Sequence, residues 1–279
     1  MKKSTNTDGY LHVLKYISLF GGVQGLNVLI GVIRNKIVAL LLGPQGVGLI
    51  SLFNSSIRLV SDSTNFGIAI SAVRNLSSDY DNGEDERLQA DIRIVRSWSL
   101  LTAVLGMVVC IALSPLLSHY SFSWNGYTFD FILLSPIIAL TAITNGEMAI
   151  LKAVRRLRQL AELSVYNVLG TSLLTIPLYY FFGERAIVPS LLLAAVVQVV
   201  LTLSASWRLY PFKLSFSRSD LGAGLGMIRL GVAFVLAGVL GSGADFIIRS
   251  YLNNVANTAT VGFYNAAYMM TMVYAGMIF

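Results

Sequence analysis

The sequence predicts an all-helical protein that crosses a membrane about eight times. Hydrophobic residues make up 55% of its 279 residues and charged residues only 12%, which is about half the charged share of a typical soluble domain. Several uncharged tracts are long enough to span a bilayer, and their apolar residues run on without the alternation of barrel strands. This composition excludes a water-soluble globular protein and a disordered chain, and a single cysteine excludes a disulfide scaffold.

The individual elements follow from where the apolar runs of about 20 residues begin and end. The predicted spans are residues 16–42, 47–74, 97–117, 131–151, 163–183, 186–207, 227–252 and 261–279. The sequence Gly-Pro-Gln-Gly at residues 43–46 predicts a tight turn between the first two spans, because these residues break a straight helix. Residues 75–96 carry five acids between Asp79 and Glu86 and are predicted to form a short acidic connector.

Basic residues predict the orientation, because lysine and arginine favour cytoplasmic loops. With the N-terminus inside, the inner segments hold 14 of the 20 lysines and arginines, whereas the outer loops hold only Arg185. The net charge of +6 is therefore explained by the basic residues of the inner segments, and we predict a cytoplasmic N-terminus. We also predict no nucleic-acid partner, because the basic residues follow the membrane topology.

Two distant parts of the chain resemble each other when one is shifted onto the other. The shift that places residues 47–48 on residues 261–262, both Val-Gly, also places Arg34 on Arg249 after a slip of one residue. Internal repeats of this kind are common in transporters. The predicted organisation is a six-helix transmembrane lobe at residues 1–210, a cytoplasmic linker at 211–226, and the first two helices of an incomplete second lobe at 227–279. The alternative is a natural protein of eight spans.

Polar residues inside the spans predict the functional site. A charge at the centre of a spanning helix costs about 2.5 to 3.5 kcal/mol on insertion scales, so such residues usually face a bundle interior or an aqueous cavity. An arginine suits an anionic group, because its guanidinium offers a planar fork of donors. The predicted substrate-binding residues are Arg34, Arg58, Arg249, Gln24, Asn27 and Asn54. The predicted ion-coupling or charge-balancing acids are Asp62, Asp245 and Glu147.

An alternative interpretation is that two of these arginines have a purely structural role. Arg58 with Asp62, and Asp245 with Arg249, stand four residues apart and could neutralise each other on one helix face. Arg34 has no acid on its own helix. The sequence contains no Walker motif and no histidine or cysteine spacing for a metal, so we predict no catalytic site, no metal and no cofactor beyond a coupled proton or sodium ion.

The run at residues 34–48, followed by Leu52-Phe53-Asn54 and Asn65-Phe66-Gly67, resembles the first helical hairpin of polysaccharide exporters. These are the O-antigen-type flippases of the multidrug/oligosaccharidyl-lipid/polysaccharide superfamily. The resemblance implies two six-helix lobes around a central cavity and alternating access. It also implies transfer of undecaprenyl-pyrophosphate-linked oligosaccharide across the bacterial inner membrane for O-antigen and lipopolysaccharide biosynthesis. Membrane lipids and other polysaccharide assembly proteins are the further partners it implies.

Among the site residues, Arg34 matches the motif of this family, whereas Arg58 and Arg249 match by helix only. One alternative function is a multidrug or cation antiporter of the same fold, but such transporters carry an acid in the first helix and this helix carries none. A second alternative is a membrane-embedded glycan polymerase or transferase. The longest predicted outer loop, residues 118–130, offers only His119 and Asp130 for acid–base chemistry, which favours a transporter over an enzyme.

Overall fold

The computed structural model describes residues 5–123, 125–214 and 218–274, and side chains from residue 22 onward except at 24, 125, 218–221, 223, 227–230, 232–233 and 273–274. The helices are α1 (Thr5–Thr64), α2 (Ile68–Asn82), α3 (Asp85–Phe122), α4 (Thr128–Ala153), α5 (Leu157–Phe182), α6 (Ile187–Leu209), α7 (Arg218–Val255) and α8 (Thr258–Tyr268). Within the described ranges there is no strand, so the predicted all-helical fold is confirmed. Because α7 begins at Arg218, the second part of the predicted linker is helical.

Helix α1 consists of two limbs, residues 5–42 and 44–64, joined at Gly43. This glycine has φ 66° and ψ −177°, a backbone region that is essentially restricted to glycine. Pro44 then opens the second limb, at a position where a helix tolerates proline. Arg34 and Asn54, which lie on either side of Gly43 in the sequence, line the same cavity. The limbs therefore run back alongside each other, which confirms the predicted turn.

The helix predicted over residues 47–74 is wrong in one respect, because the second limb ends at Thr64 and α2 starts afresh at Ile68. Phe66 and Gly67 between them have φ values of 51° and 66°. The Oδ1 atom of Asn65 accepts a hydrogen bond from the Gly67 N–H at 2.8 Å and stabilises this break. The backbone of Gly67 lies directly against the backbone of Gly231 on α7, where a Cβ atom would overlap. The left-handed backbone at Phe66 and Gly67 therefore ends the helix, and the close approach of α7 requires a glycine at position 67.

The predicted acidic connector is also wrong in its conformation. Helix α2 continues to Asn82, Gly83 reverses the chain with φ 71°, and α3 begins at Asp85. Arg155, in the turn between α4 and α5, binds Asp81 at 2.6 Å. The acidic segment is thus a helical hairpin held to a neighbouring turn.

Among the described residues, five helical stretches are long and apolar enough to cross a membrane, at residues 25–64, 85–122, 128–153, 157–209 and 234–255. Two of them, with 40 and 53 residues, have about twice the length that one crossing requires. Each of these two is interrupted, at Gly43 and at residues 183–186 respectively. The described part of the predicted eighth span, residues 261–274, consists of most of the short helix α8 and a π-helical segment at Met269–Tyr274. Residues 275–279 of that span lie outside the described residues.

The turns alternate between two ends of the bundle, which fixes the frame around the cavity. One end, which we call the Gly43 end, holds Gly43 and residues 123–127, 183–186 and 256–257; the other, the linker end, holds residues 83–84, 154–156 and 210–214. A hydrophobic core runs through α1, α3, α4, α5 and α6 and includes Leu52, Phe53 and Phe131. A smaller cluster joins α2, α3 and α4.

Candidate functional site

A cavity of about 220 Å³ lies inside the bundle formed by α1, α4, α5 and α6. Both limbs of α1 contribute to its wall, the first with Arg34 and the second with Asn54. The other lining residues are Ile137, Thr141, Asn167, Thr171, Leu191, Ala194, Ala195 and Gln198. None of these lining residues is acidic, so the charge of Arg34 is surrounded by neutral amides, hydroxyls and apolar groups.

Helical spacing places Arg34 on the face of the first limb that meets α5. Asn27 precedes it by two helical turns and so lies on the same face. The Nδ2 atom of Asn27 donates a hydrogen bond to Oγ of Ser164 on α5 at 2.7 Å. The side chain of Gln24, the third predicted substrate-binding residue of this limb, lies outside the described residues. The other two, Asn27 and Arg34, are therefore placed against the same neighbouring helix.

Helix α5 supplies a polar group that is not satisfied within the protein. The Oδ1 atom of Asn167 is buried and has no hydrogen-bond partner among the described atoms. The hydroxyl of Thr171 donates instead to the backbone carbonyl of Asn167 at 2.6 Å, and that of Thr141 donates to the Ile137 carbonyl at 2.7 Å. A buried polar group without a partner costs free energy, and water or a ligand in the cavity would relieve that cost.

Glu147 does not face the cavity but forms a buried ion pair with Arg96. Arg96 Nε donates to Oε1 of Glu147 at 2.8 Å and Nη2 donates to Oε2 at 3.1 Å, and both side chains are 3% exposed. Ser206 and Trp207 on α6 also donate to this carboxylate, at 2.5 and 3.4 Å. The acid is therefore neutralised and fully hydrogen-bonded, which leaves little capacity for a coupling ion.

Arg96 extends this network to the chain that follows α6. Its guanidinium donates to the carbonyl oxygens of Tyr210 and Pro211 at 3.0 and 2.8 Å and lies 5.7 Å from the ring centre of Phe212. In the sequence, Arg96 is one of the 14 basic residues of the predicted inner segments. No local pattern could have paired it with Glu147, because the two residues are 51 positions apart.

Arg249 is also buried and occupied. Its Nε donates to Oδ1 of Asp245 at 2.9 Å, so this pair, which the spacing allowed, is formed. Its Nη1 donates to Ser51 on α1 and to Oδ1 of Asn265 on α8, the latter at 2.9 Å. The guanidinium thus lies where α7, α8 and the second limb of α1 meet, outside the cavity that holds Arg34.

Arg58 and Asp62 do not form the pair that their spacing allowed. No ion pair joins them among the described side chains, and Arg58 is exposed. Asp62 is half-buried and faces α7, where its carboxyl carbon lies 3.9 Å from the position of a Cβ atom built on Gly238. Of the three predicted acids, Asp62 is the one for which the described side chains provide no cation.

Arg34, Arg96 and Arg249, the described arginines that lie inside the bundle, differ in what they bind. Arg96 and Arg249 each hold a carboxylate and two further acceptors. For Arg34, the described part of the chain offers no hydrogen-bond acceptor to the guanidinium, which opens into the cavity. A guanidinium with free donors in a partly desolvated site favours an anion as its partner.

No protein-family model and no curated protein matches this chain. A solved structure of the inward-facing conformation of a multidrug resistance MATE family transporter of the MOP superfamily is similar, with a TM-score of 0.61 and 18% sequence identity. The similarity covers 88% of this chain and 58% of that chain. The chain therefore has the helical fold of a MATE family transporter over somewhat more than half of that transporter's length.

Proposed function

We propose that this chain belongs to a transporter that flips a lipid-linked anionic glycan across the bacterial inner membrane. The proposed substrate is an oligosaccharide carried on undecaprenyl pyrophosphate, destined for O-antigen or another surface polysaccharide, and the N-terminus is cytoplasmic. The transporter fold supports the general activity, and the resemblance of residues 34–48 to polysaccharide exporters supports the substrate class.

The observation that carries the proposal is the Arg34 guanidinium, which has no hydrogen-bond acceptor among the described residues and opens into a cavity whose lining residues include no acid. A buried cation without a counter-charge is unfavourable in a low-dielectric site. An anionic group of the substrate would remove that penalty and gain charge-assisted hydrogen bonds. Asn54, Asn167 and Gln198 line the same cavity and can donate amide hydrogens to phosphate oxygens.

Leaflet-resolved labelling of lipid-linked glycans tests the proposal in cells that lack the native gene. Loss of the gene is expected to leave glycan repeat units on the cytoplasmic leaflet and to remove surface polysaccharide. Arg34→Ala is expected to do the same, and Arg34→Lys to retain part of the activity because it keeps the charge but loses the planar fork. Lys36→Ala is the matched control, since Lys36 is an exposed cation two residues along the same helix.

Normal glycan export by Arg34→Ala at normal expression would remove this residue from the mechanism. Normal glycan display without the gene would refute the flippase itself, provided that no related gene compensates.

The second candidate function is multidrug or cation antiport. The similar solved structure is that of a multidrug resistance transporter, and Asp62 is a half-buried acid without an ion-pair partner among the described residues. An acid at membrane depth is a candidate site for a coupling ion. Drug accumulation in cells expressing Asp62→Asn tests this function: antiport requires higher drug accumulation in the variant than in the parent, whereas the flippase predicts no difference.

A further inference from the structure

Helix α8 crosses the second limb of α1 at the Gly43 end through two equivalent contacts. A Cβ atom on Gly48 would overlap the carbonyl oxygen of Thr258, and a Cβ atom on Gly262 would overlap the carbonyl oxygen of Pro44. The interval along the chain from Pro44 to Thr258 equals the interval from Gly48 to Gly262, and it is also the shift that relates the two similar parts of the sequence. When each residue is replaced by its counterpart under that shift, the Gly48–Thr258 contact becomes the Gly262–Pro44 contact. The two contacts are therefore related as they would be by a two-fold axis.

A third contact lies at the centre of this crossing. Ser51 on α1 and Asn265 on α8 are separated by the same interval, and the Ser51 hydroxyl lies 3.4 Å from Oδ1 of Asn265. Ser51 and Asn265 are thus equivalent positions of the two similar parts, and they contact each other. Two equivalent positions can do so only close to the approximate two-fold axis. The crossing is the place where the first six-helix unit and the following pair of helices face each other symmetrically.

Arg249 contacts both sides of this symmetric crossing, where the end of α7 is also held to α3 by hydrogen bonds from Asn253 and Asn254 to the Ser121 and Tyr120 carbonyls. It comes from α7, and it donates to Ser51 of the first unit and to Asn265 of α8. Its guanidinium carbon lies 5.5 Å from the ring centres of both Tyr264 and Tyr268 on α8, within the range of a cation–π interaction. One side chain therefore ties together three helices that belong to the two halves of the crossing.

We propose that the α1–α8 crossing is a gate at the Gly43 end and that Arg249 is its latch, meaning the residue that holds the gate closed. Ser51 on the first unit is the residue that Arg249 binds in the closed state. The inference rests on the proposed transport function, because alternating access requires one end of the bundle to open while the other closes. At Gly48 and Gly262 the two helices meet through backbone atoms, so these two contacts can separate without freeing interlocked side chains. Val261 beside them is fully buried in the hydrophobic core, and separation of the helices exposes it.

Asp245 allows Arg249 to leave Ser51 and to bind it again. It binds Arg249 from the preceding turn of the same helix, so the ion pair moves with α7 when the gate opens. Arg249 then loses its contact to Ser51 but stays neutralised, which avoids leaving a bare charge in the membrane. The opposite arrangement, with the acid on the first unit, would make each opening break a buried ion pair.

Distance measurement between spin labels tests the latch on the full chain reconstituted in lipid without substrate. Labels on Leu40→Cys and Val255→Cys, in a Cys110→Ala background, report the gate because both sites are exposed and lie close in sequence to the Gly43 end, one on α1 and the other at the end of α7. Labels on Leu40→Cys and Phe182→Cys lie within the first unit and serve as the control pair. The parent protein is expected to give one predominant distance for each pair.

Arg249→Gln is expected to add a second, longer-distance population to the gate pair and to leave the control pair unchanged. Ser51→Ala, which removes only the hydroxyl that Arg249 binds and keeps the Arg249–Asp245 pair, is expected to produce the same longer population. Ser55→Ala is its matched control, because this buried hydroxyl donates to Leu52 within its own helix and should leave both distances as they are.

Identical gate distances in the parent, Arg249→Gln and Ser51→Ala would overturn the latch. A changed distance between the labels of the control pair would identify Arg249→Gln as misfolded. The gate distance in Ser51→Ala alone would then test the latch. The distances require no substrate, so a failure of glycan flipping would leave the result standing. Conversely, unchanged distances in a protein that flips glycan would refute only the latch.

Discussion

Replacement of Glu147 by glutamine tests the buried ion pair at the linker end, which joins α3, α4, α6 and the chain that follows α6. The substitution keeps the size of the side chain and removes its charge, so Arg96 remains as a buried cation. Both side chains are 3% exposed and the pair makes two hydrogen bonds of 2.8 and 3.1 Å. Solvent can therefore compensate little of the lost attraction.

The expected loss of stability follows from that burial. Breaking a buried ion pair by removing one partner costs about 3 to 5 kcal/mol. Arg96 keeps two backbone carbonyl acceptors, at 3.0 and 2.8 Å, so we expect a value near the lower limit, about 3 kcal/mol. At about 2 to 4 °C per kcal/mol for a chain of this size, the melting temperature should fall by about 6 to 12 °C.

Thermal unfolding in detergent, followed by far-UV circular dichroism, measures this loss. Glu84→Gln is the matched control, because Glu84 binds Arg87 at 2.6 Å but the two side chains are 37% and 76% exposed. An exposed pair of this kind contributes about 0 to 1 kcal/mol. If Glu147→Gln lowers the melting temperature by no more than Glu84→Gln, the reasoning from burial is refuted. Removing both charges, with Arg96→Gln added, should recover part of the loss.

Two glycine substitutions and one pH profile give further predictions. Gly48→Ala should destabilise the protein by about 1 to 3 kcal/mol, because the new methyl group overlaps the Thr258 carbonyl. Gly31→Ala is the control and should be neutral or slightly stabilising, because there is open space around Gly31. The melting temperatures of the two variants test this difference. Asp91 lies in the polar first turns of α3, before the apolar span predicted from residue 97, and burial first, and Asp79 next, raise its pKa from 3.8 to about 6. The folded state then binds this proton more tightly than the unfolded state, so stability should fall as pH rises from about 4 to about 6. Asp91→Asn should flatten that slope, and an unchanged slope would contradict the assignment.

The site could be predicted where its residues lie close together along one helix. The two-turn spacing of Asn27 and Arg34 places both on the face that meets α5, and the absence of an acid from the predicted span 16–42 already set Arg34 apart. The spacing of Asp245 and Arg249 allowed a pair that is formed. The same spacing allowed a pair between Arg58 and Asp62 that is not formed, because the surroundings of each side chain decide whether the contact is made.

The membrane-spanning all-helical fold, the turn at Gly43 and the similarity between the two parts of the chain can be predicted from the sequence, because they depend on composition, local conformational preference and internal similarity. Which arginines are already paired depends instead on how distant helices pack. Arg96 finds Glu147 from 51 positions away, and Arg249 finds Ser51 from 198 positions away. Contacts between distant helices depend on how the whole bundle packs, and this packing leaves Arg34 open to the cavity.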